Sequence, residues 1–223
     1  MGKLLALAMA LLLAACGGGG DQRSAGAGAA PGADGFRTRT PGVLTVGTEL
    51  PNPPFVLGDD LDHLKGGFEV DMVNEIAKRL GVPKVEWVGF PFTKLVAGAR
   101  CPCDFAVNGV SILPDRRQRV DFSSPYFTAN QEVLVRKGTT VNAMADARQL
   151  HFGVQVVDAA HRYPGLAVAG QFKTDEQYGA VLAKGSPNTR PLSEVIDQLR
   201  DGGVLDQLFQ KYFPEQVNIP SLG

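Results

Sequence analysis

The residues of this chain able to do chemistry are few and mostly scattered. Three arginines, Arg116, Arg117 and Arg119, follow Leu113-Pro114-Asp115. A guanidinium offers two parallel donors and stays charged, which suits it to gripping a carboxylate. Taken alone, arginines so close in sequence equally describe a solvated face. Cysteines stand at 16, 101 and 103, the last two flanking one proline. His63, His151 and His161 are dispersed and no second cysteine pair exists, so no metal-ligand spacing is present. Lys plus Arg (22) nearly balances Asp plus Glu (23), which lacks the basic excess of a nucleic-acid binder.

Cys16 gains meaning from what precedes it. Lys3 supplies a positive start, Leu4 to Leu13 is unbroken apolar, and Leu13-Ala14-Ala15 ends in small residues. The apolar run is too short to span a bilayer, which needs roughly 20 residues. Leu-Ala-Ala-Cys-Gly resembles the lipobox of bacterial lipoproteins. That resemblance implies a signal peptide over 1–15, lipid on Cys16, and a chain exported and held at the outer face of the cell membrane. Several acyl chains would anchor firmly, each buried methylene contributing about 0.8 kcal/mol. Residues 16–40 are rich in Gly, Ala, Ser, Asp and Pro, with Phe36 the sole large apolar residue, and read as a flexible linker. Such a linker reaches about 25–30 Å on average. Outside the cell the remaining pair, Cys101 and Cys103, reads as a disulfide, worth only roughly 1–2 kcal/mol in so short a loop.

The elements that would position the arginines follow in order. VLTVGT, Val43 to Thr48, is a buried strand by type. Glu69 to Leu80 places Met72, Val73, Ile76, Ala77 and Leu80 on one helical face, stopped by Gly81 and Pro83. Lys84 to Val88 predicts a strand, Phe92 to Ala99 a short helix and Asp104 to Val110 a third strand. This β-α-β-α-β order implies a parallel sheet covered by helices. Further strands are predicted at Glu132–Arg136, His151–Asp158 and Tyr178–Ala183, and two closing helices around Leu192–Leu199 and Val204–Tyr212.

GFEVDMVNEIAKRL, Gly67 to Leu80, resembles the signature of family 3 of the bacterial extracellular solute-binding proteins, receptors of ABC importers for polar amino acids. LTVGTELPNPPF, NGVSILPDRRQRVDFSSPYF and YGAVLAKGSPNTR…LRDGGVLDQLFQKYF agree with it in order and spacing. The resemblance implies an α/β, periplasmic-binding-protein-like type II fold, two lobes joined by two crossing strands with the ligand between. Residues 41–136 and 178–223 would form lobe one with the crossing strands, and 137–177 lobe two. It implies a monomer without cofactor that hands its amino acid to an ABC permease. Arg116 matches the arginine that grips the ligand carboxylate, and Gly109 and Ser111 match strand-end positions that offer backbone and hydroxyl groups. Phe92 matches an aromatic lying against the ligand, or else belongs to the core. Glu49 matches a polar position after the first strand, or else decorates a loop.

Two departures qualify the match. Asn52 stands where an aromatic usually covers the ligand. After HFGVQ the usual turn and further βα units are missing, and Gln155 runs straight into Val156-Val157-Asp158. Lobe two is thus expected to be truncated, too small for a secure core of its own. Asp158 either pairs with the ligand ammonium or caps a turn. The leading expectation is an amino-acid receptor. The alternatives are a paralogue that no longer binds, and a dehydratase or murein lyase on the same fold, for which only Glu49 and Asp158 offer an acid or base.

Overall fold

The computed structural model describes residues 35–147 and 164–222. VLTVGT forms β1 (Val43–Thr48), buried over its last five residues, as a strand covered on both faces must be. It lies between β2 (Lys84–Gly89) and β3 (Phe105–Ala106) and is parallel to both. Parallel neighbours need crossover connections, supplied by α1 (Phe68–Leu80) and α2 (Phe92–Val96). Helix α1 buries Met72, Val73, Ile76 and Ala77 and ends at Gly81, whose φ of 68° lets its N–H close on Ala77 and Lys78.

After the short α3 (Pro114–Arg117), the sheet is completed by two long antiparallel strands, β4 (Val120–Arg136) and β5 (Leu166–Ala183), in the order β2-β1-β3-β5-β4. At about 3.3 Å per residue each runs over roughly 55–60 Å. The runs Glu132–Arg136 and Tyr178–Ala183, predicted as separate short strands, are ends of this ribbon and do not face each other. Glu132 pairs with Gln171, and Tyr178 with Phe127. Register shifts near Pro125 and Asn130 break the apolar alternation, so one strand reads as fragments in sequence. The predicted strand Asp104–Val110 shrinks to Phe105–Ala106. Gly109, at φ 56°, turns the backbone before the chain rejoins β5 by the Ser111–Tyr178 bridge. The predicted helix Phe92–Ala99 stops at Val96, with Gly98 at φ 85°.

One face of the sheet is covered by α1, α5 (Thr189–Asp201) and α6 (Val204–Tyr212), whose Phe68, Met72, Ile76, Leu192, Ile196 and Leu199 pack with Leu44 and Val46. A second cluster of Leu95, Ala106, Val110, Val120, Phe122 and Val181 sits under α2. The folded body reaches back into the expected linker. Phe36 packs edge-on against Phe105 at 6.5 Å, and the Arg39 N–H donates to the buried Asp104 carboxylate at 2.6 Å.

Of residues 137–177, the described parts are 137–147, with α4 (Met144–Ala147), and 164–177, with the first two thirds of β5. A small cluster of Val133, Val135, Val141 and Leu222 packs there. Leu222 belongs to the C-terminal tail, which bonds to Gln171 through Pro220 and Leu222. The expected His151–Asp158 strand, with Asp158, and the expected signal peptide, with Cys16, lie outside the described residues.

Candidate functional site

Arg116 leaves the end of α3 and turns back toward the sheet. Its Nη1 donates to the Ser111 carbonyl at 3.1 Å, and its guanidinium carbon lies 5.4 Å from the centroid of the Phe92 ring. Arg116 is half-buried, whereas Arg117 and Arg119 are exposed. Arg119 is tied to Asp115 at 3.2 Å, while among the described residues Arg116 has no carboxylate partner. A guanidinium held over a ring by one hydrogen bond keeps free donors and a charge that no described carboxylate neutralises. Phe92 opens α2, and its N–H donates to Glu49 Oε2 at 2.7 Å. Glu49, Phe92, Arg116 and Ser111 therefore form one contact chain at the carboxyl ends of β1 and β3, where α/β sheets place ligands.

Gly109 and Ser111 are already engaged inside the protein. The Gly109 N–H donates to Glu69 Oε1 at 2.8 Å, and the Ser111 hydroxyl donates to Glu176 Oε1 at 2.5 Å. Glu176, on β5, also accepts from Gln131 Nε2 at 2.8 Å. Glu69 is fully buried at the start of α1. Its Oε1 additionally accepts from the Tyr126 hydroxyl, while Oε2 is buried with no partner among the described residues. Burial pushes the Glu69 carboxyl up to about 7, against the pull of its two donors. Burial and the Glu69 charge likewise hold the Tyr126 hydroxyl well above its ordinary range.

The other expected residues stand apart. Asn52 gives its carbonyl to the Val56 N–H at 2.7 Å, and its Nδ2 is buried without a partner among the described residues. Cys101 and Cys103 are joined as a disulfide. It packs on β1 at Gly47, where a Cβ would meet Cys101 Sγ at 2.8 Å and Cys103 Sγ at 3.1 Å. A polar groove between α1 and α6, lined by Asp71, Glu75, Lys78 and Gln207, involves none of the expected site residues. Sequence reading missed Glu69, Glu176 and Gln131. Glu69 carried a signal, since it precedes Met72, Val73 and Ile76 by three, four and seven residues and so lies on the apolar face of α1. Glu176 and Gln131 carried none, because their meeting depends on the bulged register of the ribbon.

The mixed α/β sheet is that of the periplasmic binding proteins of type II, and at the carboxyl ends of its strands lies a half-buried arginine with no carboxylate partner among the described residues. Comparison with known proteins makes the class specific. The model of the bacterial extracellular solute-binding proteins, family 3, matches residues 44–215, and the chain belongs to that family. The L-cystine-binding protein TcyA of Bacillus subtilis is 36% identical over 255 residues, covering 92% of this chain and 94% of TcyA. A probable histidine-binding protein of Neisseria gonorrhoeae is 28% identical over 260 residues, covering 93% and 92%. These alignments are longer than the 223-residue chain, so the relatives carry stretches with no counterpart here. Among solved structures, an ancestral arginine-binding protein bound to arginine matches with a TM-score of 0.63 and 25% identity, over 80% of this chain and 99% of that one.

Proposed function

We propose that this chain is the substrate-binding lipoprotein of an ABC importer, taking a polar amino acid and delivering it to the permease while a lipid on Cys16 holds it to the membrane. The observation that carries this reading is Arg116, turned inward over Phe92 and without a carboxylate partner among the described residues. A ligand carboxylate would take the remaining guanidinium donors, each charge-assisted bond netting about 1.5–3 kcal/mol. The family membership, with relatives named for histidine and L-cystine and a structural neighbour bound to arginine, supports a polar amino acid as the ligand. Residues 137–177 would act as a shortened second lobe. No catalytic step enters the reading, because the relatives are named as binding proteins. Titration calorimetry of the full-length chain against the twenty amino acids and cystine tests it. Binding of at least one, weakened at least tenfold by Arg116→Ala, is expected. Silence toward every ligand would refute the reading.

One observation favours a non-binding paralogue instead. The Gly109 N–H and the Ser111 hydroxyl are both occupied by internal acceptors. Under that reading no amino acid raises the melting temperature of the chain, whereas a receptor gains several degrees at saturating ligand.

A further inference from the structure

Ser111 is touched on two sides by opposite charges. Arg116 Nη1 holds its carbonyl at 3.1 Å, and Glu176 Oε1 receives its hydroxyl at 2.5 Å. The carboxylate and ammonium of an α-amino acid hang on one carbon, so a site for both needs a cation and an anion one residue apart. Arg116 and Glu176 meet that requirement through the residue they share.

We propose that Glu176 is the specificity carboxylate for the ligand's ammonium group. This assignment rests on the receptor reading and deepens it. Both groups bonded to Glu176, the Ser111 hydroxyl and the Gln131 amide, are neutral donors. Two neutral bonds leave its charge uncompensated and about two of its roughly four lone-pair positions open. Among the described residues no lysine or arginine forms an ion pair with it, and it is half-buried, so water screens it only in part. Its field reaches Tyr178, whose hydroxyl is pushed up to about 12 by burial first, then by the charges of Glu176 and Glu69. An arriving ammonium gains a charge-assisted bond and requires little rearrangement, since Ser111 and Gln131 already hold the carboxylate in place. Gln131 and Glu176 come from the two strands of the ribbon, β4 and β5, so bound ligand would also brace those strands together.

The test is calorimetry of the full-length chain with its best-bound amino acid and the matching α-hydroxy acid, which keeps the carboxylate and lacks the ammonium. Glu176→Gln is expected to weaken the amino acid about tenfold to a hundredfold and to leave the hydroxy acid within about twofold. Arg116→Ala should weaken both ligands. If Glu176→Gln melts early, Glu176→Asp keeps the charge on a shorter arm and should lose part of the amino-acid affinity only. Unchanged amino-acid binding by the Glu176 variants, or the same selective loss in Asp158→Asn instead, overturns the assignment while leaving the receptor reading intact. A wild-type chain that binds no amino acid overturns both.

Discussion

The guanidinium of Arg116 lies 5.4 Å over the ring of Phe92 while donating to the Ser111 carbonyl, so one residue is fixed both by stacking and by a hydrogen bond. An ammonium can make either contact alone, but as a compact point charge on a flexible stem it lacks the planar fork that makes both while keeping donors free.

Arg116→Lys is therefore expected to behave almost as badly as a truncation. It keeps the charge but loses the planar fork, and amino-acid affinity should fall about tenfold or more. Fold stability should change little, because a cation over the half-buried Phe92 ring contributes only about 1 kcal/mol. Calorimetry paired with a urea melt separates the two quantities. A lysine variant that binds as tightly as the wild type would remove Arg116 from the site.

Glu69 makes stability depend on pH in an unusual direction. Its carboxyl ordinarily loses its proton near 4.5, but in the folded chain burial raises this to about 7. Below about 4.5 both folded and unfolded chains hold the proton. From there to about 7 only the folded chain holds it, so each rise in pH favours unfolding. Above about 7 both are ionised and the full cost of the buried charge, about 3 kcal/mol, is present. Urea melts at pH 5, 6, 7 and 8 should show that loss in the wild type. Glu69→Gln, which is never charged, should flatten it and be the more stable protein at pH 8. Parallel pH profiles for the two proteins would sink the account.

The inner architecture was legible because local patterns and tertiary packing agree. VLTVGT is a continuous apolar run and becomes the doubly covered central strand. The 3.6-residue stripe from Met72 becomes the buried face of α1, and Gly81 ends it as its position predicts. Arg116, Phe92 and Ser111 were singled out by motif, and the structure adds the contacts of Arg116 with the other two. The ribbon was not legible. Pro125 and the bulges around it divide β4 into apolar and polar stretches, and pairing such as Gln131 with Phe172 has no local signal. Glu176 was invisible for the same reason. Its neighbours Asp175 and Gln177 are exposed polar residues, and only long-range pairing brings it to Ser111. Phe36 illustrates the converse, a single large apolar residue in a linker-like stretch that is enough to fasten the chain to the core.

Gly47 offers a test of how tightly the disulfide is packed into the site's scaffold. Its residue position on β1 faces Ala106 of β3 on one side and the Cys101–Cys103 bridge above, and an added Cβ would approach Cys101 Sγ to 2.8 Å. The bridge cannot swing aside like a flexible side chain, because both of its ends are fixed to a loop of three residues. Gly47→Ala should therefore cost roughly 1–3 kcal/mol by overpacking, read from the urea midpoint at constant slope. The same substitution in a Cys101→Ala background removes the nearest sulfur, and the penalty there should fall by at least half. Two neighbours in contact are expected to couple in this way, whereas independent sites would add. Equal penalties in the two backgrounds would mean that Ala106, and not the disulfide, sets the need for glycine.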